Sequence, residues 1–164
     1  MQSTPAAAVA NIRVHSPEDC FLLLRRSSHP SDPWSGHFAF PGGRKEEADG
    51  SLLETCTRET FEETGITLPP ESIQTALPAS YAGSRVNSLI LVQPYLFHLE
   101  ERPILQLDGK EIQGYCWLTT QSFQNKELHI EAEVLPNRYL PAFPLDDYYL
   151  WGFTYGLLKD LLRL

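Results

Sequence analysis

Arg58, Glu59, Glu62 and Glu63 stand within one six-residue stretch. On a helix of about 3.6 residues per turn, the glutamates are related by i,i+3 and i,i+4 and share an arc of about 100°. Carboxylates packed this closely repel one another. They also sit in the last turns of the predicted helix, the wrong end for its dipole. A hard divalent cation resolves both problems. Mg²⁺ takes oxygen ligands, keeps several waters and is usually completed by substrate phosphates. Glu59 and Glu63 can reach one ion, and Glu62 a second ion or a bridging water. Arg58 can pair with Glu62 and hold the cluster's geometry. Such clusters neutralise a polyphosphate and activate water for in-line attack on phosphorus. A solvated acidic face is the bland alternative. The glycine-rich turn just upstream, Phe40 to Arg44, favours chemistry, because backbone without a Cβ can approach metal or phosphate closely.

These residues need a helix to hold them, and the chain supplies its signals. Ser51 with Glu54 makes an S-x-x-E capping box, and Gly65 stands where a C-terminal glycine belongs, so a helix runs over Ser51–Thr64. Leu53, Cys56, Thr60 and Thr64 share its core side. A second helix is predicted over Asp146–Leu162, with Leu150, Thr154, Leu157, Leu158 and Leu161 at helical spacing and Asp146 and Asp147 at its positive end. Alternation and β-branched or aromatic runs mark strands at about Ala8–Val14, Phe21–Arg26, His37–Phe40, Ser72–Ala79, Ser88–His98, Ile112–Leu118 and Leu128–Val134. Mixed strands with two well-separated helices make an α+β domain. With no linker or repeat, residues 1–164 read as one unit.

Composition sets the outer limits. The 164 residues are 42% hydrophobic, which is enough for a real core, and their net charge is −8. That acidity argues against a broad nucleic-acid footprint, which needs a basic face. It leaves phosphate ligands open, since a cation inverts local charge. Cys20, Cys56 and Cys116 are odd in number and widely spaced, so no disulfide framework or zinc site is indicated. No stretch approaches the roughly 18 apolar residues of a membrane helix. The expected setting is a reducing, cytoplasmic one.

The stretch Gly43–Ile66, G-R-K-E-E-A-D-G-S-L-L-E-T-C-T-R-E-T-F-E-E-T-G-I, resembles the Nudix box, G-x5-E-x7-R-E-U-x-E-E-x-G-U with U a bulky apolar residue. Its second half fits from Arg58 to Ile66, with Thr60 at an apolar position. In the first half Asp49 replaces the first Glu, and eight residues rather than seven separate it from Arg58. Phe40-Pro41-Gly42-Gly43 is the F-P-G-G that precedes the box in the family. The resemblance implies an α/β/α sandwich around a mixed sheet. It also implies hydrolysis of a nucleoside diphosphate linked to another moiety, with Mg²⁺ or Mn²⁺. Glu59, Glu62 and Glu63 fall on family metal ligands, Arg58 on the orienting arginine, and Gly42 on a glycine whose carbonyl often ligates metal.

Other residues are candidates for the rest of the site. Glu111 precedes a strand at a place where Nudix enzymes often carry a base or metal ligand. Arg26 and Arg44 lie near the glycine turn and suit phosphate. Trp34, Tyr81 and Arg85, in Pro/Gly-rich loops, could stack on a nucleobase, which makes Arg85 a further substrate-binding candidate. The five histidines form no ligand pattern. Leu22–Ser27 and the G-x3-F-P-G-G of Gly36–Gly43 are similar to a signature of coenzyme A pyrophosphatases. That signature's internal arginine is missing between Ser27 and Gly36. A nucleoside diphosphate sugar such as ADP-ribose is therefore the leading substrate class, with coenzyme A as the alternative. RNA 5′-end hydrolysis and a non-catalytic nucleotide-binding domain rank lower. A small-molecule partner is expected, no nucleic acid or membrane, and a homodimer is left open.

Overall fold

The computed structural model describes residues 4–30, 36–83 and 89–164. Eight strands form one mixed sheet: β1 (Ala7–Ser16), β2 (Cys20–Arg26), β3 (Phe38–Ala39), β4 (Gly42–Arg44), β5 (Ile73–Ala76), β6 (Ser80–Ala82), β7 (Ile90–Glu101) and β8 (Ile112–Thr119). β1 runs parallel to β7, from Ala7 opposite Val92 to Ser16 opposite Glu101. The other pairings are antiparallel. A second antiparallel sheet of β9 (Ile130–Leu135), β10 (Arg138–Leu145) and β11 (Tyr148–Trp151) has the order β11-β10-β9. The helices are α1 (Leu52–Thr64), α2 (Thr120–Gln124) and α3 (Gly152–Leu162).

Pleat alternation sorts β2 between two cores. Leu22 and Leu24 join Ala8, Ala10, Ile12 and Val14 of β1 in a cluster closed by Cys56 of α1 and by Ile66. Phe21 and Leu23 join Phe38 and Phe40 in a second cluster with Phe143, Leu150, Tyr155, Leu157 and Leu158. The large sheet therefore lies between α1 on one face and α3 with the small sheet on the other. This is the expected α+β sandwich.

One irregularity positions the site. β1 and β2 pair only near their hairpin, at Arg13 with Phe21 and Val14 with Cys20. Beyond that they diverge, and the segment Phe38–Arg44 fills the fork. β3 pairs with Leu24 and Arg25 of β2, while β4 pairs with Ala7, Ala8 and Val9 of β1. The Ala10 N–H donates to the Pro41 carbonyl at 2.8 Å where the segment crosses. Gly42 is forced by this fit, because a Cβ there would stand 2.2 Å from the Ala8 carbonyl oxygen.

Asn11 sits beside that crossing, fully buried, with neither amide atom hydrogen-bonded to a protein group. Replacing such a group by an apolar one of similar size removes a desolvation penalty of about 1–3 kcal/mol. Asn11→Leu should therefore raise the melting temperature. A fall by calorimetry would mean that the amide is satisfied in solution.

The C-terminal third departs from expectation. The helix predicted over Asp146–Leu162 begins only at Gly152. Asp146 and Asp147 instead form the two-residue turn between β10 and β11, with Asp146 at φ 54°. Aspartate tolerates that left-handed conformation, and Tyr148–Trp151 is rich in strand-forming aromatics. The strands β4, β10 and β11 and the helix α2 were not anticipated. The strand expected over Ser72–Ala79 shortens to β5 after a 3₁₀ turn at Pro70–Ser72, and β6 begins just past its expected end. Tyr81 consequently lies on a strand rather than in a loop. Trp34, Arg85 and Ser88, where one predicted strand begins, lie outside the described residues. No helix among the described residues is long and apolar enough to cross a membrane.

Candidate active site

Helix α1 forms as its end signals dictate. The Ser51 Oγ accepts from the Glu54 N–H at 3.2 Å, and Gly65 closes the helix at φ 75°. Thr60, at the position where an apolar residue was expected, is fully buried and donates its hydroxyl to the Cys56 carbonyl at 2.7 Å. Such back-bonding lets a threonine occupy a helix core face. Beyond the helix, the N–H groups of Gln106 and Asp108 donate to the carbonyls of Thr64 and Glu63 at 2.7 and 3.1 Å. Orphan carbonyls at the helix end are thereby satisfied, and the loop leading to Glu111 is pinned against the acidic turn.

Arg58 organises the acids. Its Nε and Nη2 form a fork on Asp49, both bonds 2.9 Å, and its Nη1 donates to Glu59 at 3.0 Å and to Glu62 at 3.1 Å. Nη2 also reaches the Arg44 carbonyl at 3.3 Å. The expected Arg58–Glu62 pair is present, within a larger network. Asp49 was not anticipated as its anchor. It is buried, and it also accepts from the Glu46 N–H and the Thr55 hydroxyl, each at 2.9 Å. These bonds hold its carboxyl well below the ordinary range, with Arg58 the main cause. Its signal in the sequence was an acid just before the helix, displaced by one residue from the box position.

Glu63 is buried on the glycine turn, where Oε1 accepts from the Gly42 N–H at 2.9 Å. Burial pushes its carboxyl up to about 8, and the nearby Glu59 and Glu111 push the same way, while Gly42 and Arg26 oppose. Burial raises Glu59 as well, against the pull of Arg58 and with help from Glu62 and Glu111. A Cβ on Gly43 would lie 2.5 Å from the Glu59 carboxyl carbon. Glycine thus leaves open the space in front of that carboxylate.

Glu59, Glu63, Glu111 and Arg26 therefore share one electrostatic neighbourhood with Gly42 and Gly43. Glu111 itself is exposed, and its carbonyl accepts from the Ser27 N–H at 2.8 Å. Glu62 stands to one side, half exposed on Arg58. Arg44 is exposed, its backbone in β4. Among the described residues no three acidic, imidazole or thiol groups converge tightly enough to enclose an ion. The donor set still fits a hard cation: two carboxyls, Glu59 and Glu63, raised by burial, beside backbone with no Cβ.

The raised carboxyls give the metal-free protein a particular pH dependence. A carboxyl whose folded pKa exceeds its unfolded one stabilises the fold fully below about 4.5. That contribution is lost as pH rises through the folded value, here about 8 for Glu63. In EDTA, the melting temperature should fall between pH 5 and 8, and the fall should shrink in Glu63→Gln. A flat profile in the wild type would show that Glu63 is not held neutral.

The fold and this acid helix define a class, and comparison with known proteins agrees. The family model of the NUDIX domain matches residues 4–138. The chain belongs to the Nudix hydrolase family. It is 31% identical over 167 residues to the Nudix hydrolase NudL of Yersinia enterocolitica, covering 94% of this chain and 78% of that one. It is 37% identical over 100 residues to protein C14C4.10c of Schizosaccharomyces pombe, covering 58% of this chain and 30% of that longer protein. In fold it is similar to the NUDIX domain of Shewanella oneidensis NrtR complexed with ADP ribose. The TM-score is 0.66 at 20% identity, covering 99% and 89% of the two chains.

Proposed function

We propose that this protein is a divalent-metal-dependent pyrophosphohydrolase that cleaves nucleoside diphosphates linked to a second moiety, with nucleoside diphosphate sugars such as ADP-ribose preferred. The observation that carries this reading is the buried Glu63 carboxyl, accepting from the Gly42 N–H and pushed up by its burial with Glu59 and Glu111 nearby. Glu59, Glu63 and the Gly42 carbonyl would hold Mg²⁺ or Mn²⁺, with Glu62 completing the set. When bound, the metal screens the diphosphate and lowers the pKa of coordinated water. The protein's own groups do the rest. Arg58, fixed by Asp49, orients Glu59 and Glu62. Arg26 and Arg44 contact phosphate. Glu111 takes the proton of the attacking water. Residues 139–164 belong to the same folding unit, since α3 closes the core behind β2.

The substrate assignment rests on charge. No lysine or arginine lies between Ser27 and Gly36. An extra phosphate buried there without a partner would be costly, whereas a neutral sugar asks only for hydrogen bonds. ADP-ribose should therefore show a higher kcat/KM than coenzyme A, with 3′-dephospho-coenzyme A in between. Steady-state assays of the three, with phosphate-product analysis, decide it. A tenfold advantage for coenzyme A, about 1.4 kcal/mol of transition-state preference, would mean that another cation reads its 3′-phosphate.

A further inference from the structure

The loop before β8 brings Glu111 to the acid helix, and one residue in it bonds toward both. Asp108, half-buried, donates its N–H to the Glu63 carbonyl at 3.1 Å, at the end of α1. Its own carbonyl accepts from the N–H of Glu111 at 3.2 Å and from that of Ile112 at 2.9 Å, which closes a turn over residues 108–111. Its side-chain Oδ1 accepts from the Lys110 N–H at 3.0 Å. An aspartate at the first position of a turn, bonded to the backbone two residues on, selects that turn's shape.

The far side of the turn is fixed independently. Ile112 is buried in the core cluster that Cys56 closes, and it stands opposite Arg26 where β8 pairs with β2. The Glu111 carbonyl accepts from the Ser27 N–H at 2.8 Å. Glu111 is thus held at both of its backbone groups, while its exposed side chain lies near enough to Glu59 and Glu63 to act on both. The two acids Glu63 and Glu111 are far apart in the chain, yet Asp108 links their backbones directly.

We propose that Asp108 is a positioning residue for the reaction, setting where the Glu111 carboxylate stands against Glu63 and the acid face of α1. The inference rests on the hydrolase reading above, in which Glu111 takes the proton of the attacking water. A general base must stand within hydrogen-bond reach of that proton, and a displacement of about 1 Å can cost on the order of 10²-fold. Asp108 need not touch substrate to act. Without its carboxylate the turn keeps its backbone bonds and loses the side-chain bond that selects its shape, so Glu111 would spread over several placements.

The test measures steady-state hydrolysis of ADP-ribose by the full chain at saturating Mg²⁺. Asp108→Ala should lower kcat about tenfold and leave KM within about twofold. Asp108→Asn should restore kcat, because its amide oxygen accepts from the Lys110 N–H as the carboxylate does. Gly109→Ala, whose added Cβ would meet nothing within 4 Å, should match the wild type. A double-mutant cycle then asks whether Asp108 acts through Glu111. Glu111→Gln should lower kcat on the order of 10²-fold, and adding Asp108→Ala to it should cost nothing further. An equal loss in both backgrounds would overturn the proposal, since Asp108 would then act without Glu111. So would an Asp108→Ala as active as wild type, or an Asp108→Asn as slow as Asp108→Ala. If Asp108→Ala does not fold, Asp108→Ser, whose hydroxyl makes the same turn bond more weakly, takes its place in the cycle. Failure of the hydrolase reading looks different: the wild type itself would turn over no nucleoside diphosphate compound, and the proposal would fall with it.

Discussion

Glu63→Gln should lower kcat on the order of 10²-fold or more at saturating Mg²⁺ and leave the fold intact. The change is nearly isosteric, and the amide oxygen can still accept from the Gly42 N–H. What is lost is one anionic oxygen, which a hard cation needs more than an amide. Losses of this size accompany removal of a single electrostatic stabiliser at a reacting centre. The same variant should melt higher than wild type in EDTA at pH 8, where the wild-type carboxyl is being forced to ionise in a buried place. Activity within about threefold of wild type would place the metal elsewhere. Activity of the wild type should climb toward alkaline pH, as Glu63 and Glu59 lose their protons to make way for metal.

Asp49→Ala should cost about 10–100-fold in apparent metal affinity or activity, the range seen when a partner behind a metal ligand is removed. Arg58 would lose the fork that aims it, and its guanidinium would be free to settle onto Glu59 and Glu62. Asp49→Glu is the sharper probe. It restores the residue type usual in the box at a spacing one residue too long, so the longer arm should overshoot Arg58 and recover only part of the loss. Full activity in Asp49→Ala, measured across a Mg²⁺ titration, would show that Glu59 and Glu62 suffice to aim the arginine.

The acid helix was legible because its instructions are local. Ser51, Glu54 and Gly65 each act within one turn, and the glutamates' shared face follows from helical spacing alone. The role of Asp49 was harder to see. Its reach to Arg58 depends on how the turn at Glu46–Ser51 folds, which the chain order does not state. The C-terminal hairpin was misread because Asp-Asp suits a helix start as well as a tight turn, and Leu150 and Leu157 satisfy both periods. His37 is more than 100 residues from Tyr148 and Trp151 in the chain, and the Arg25–Asp147 pair fastens the hairpin that brings them together. Site residues contributed by strands are fixed by register, and register is set across the sheet.

The fork between β1 and β2 makes Gly42 and Gly43 part of a wedge rather than a loop resting on a finished surface. The wedge is held by β1 and β2, and β1 is itself completed only when β7 pairs along its other edge, from Val92 to Glu101. The contact closes a loop of roughly 80 residues, and long-range parallel pairing of this kind forms late in folding. The acid helix can thus be complete while the glycine turn it faces has no fixed place. A ribosome-bound chain cut before β7 would carry the whole box and still be inert. The glycine turn gains a fixed place with the parallel pair, and the strand after Glu111 has still to dock on β2.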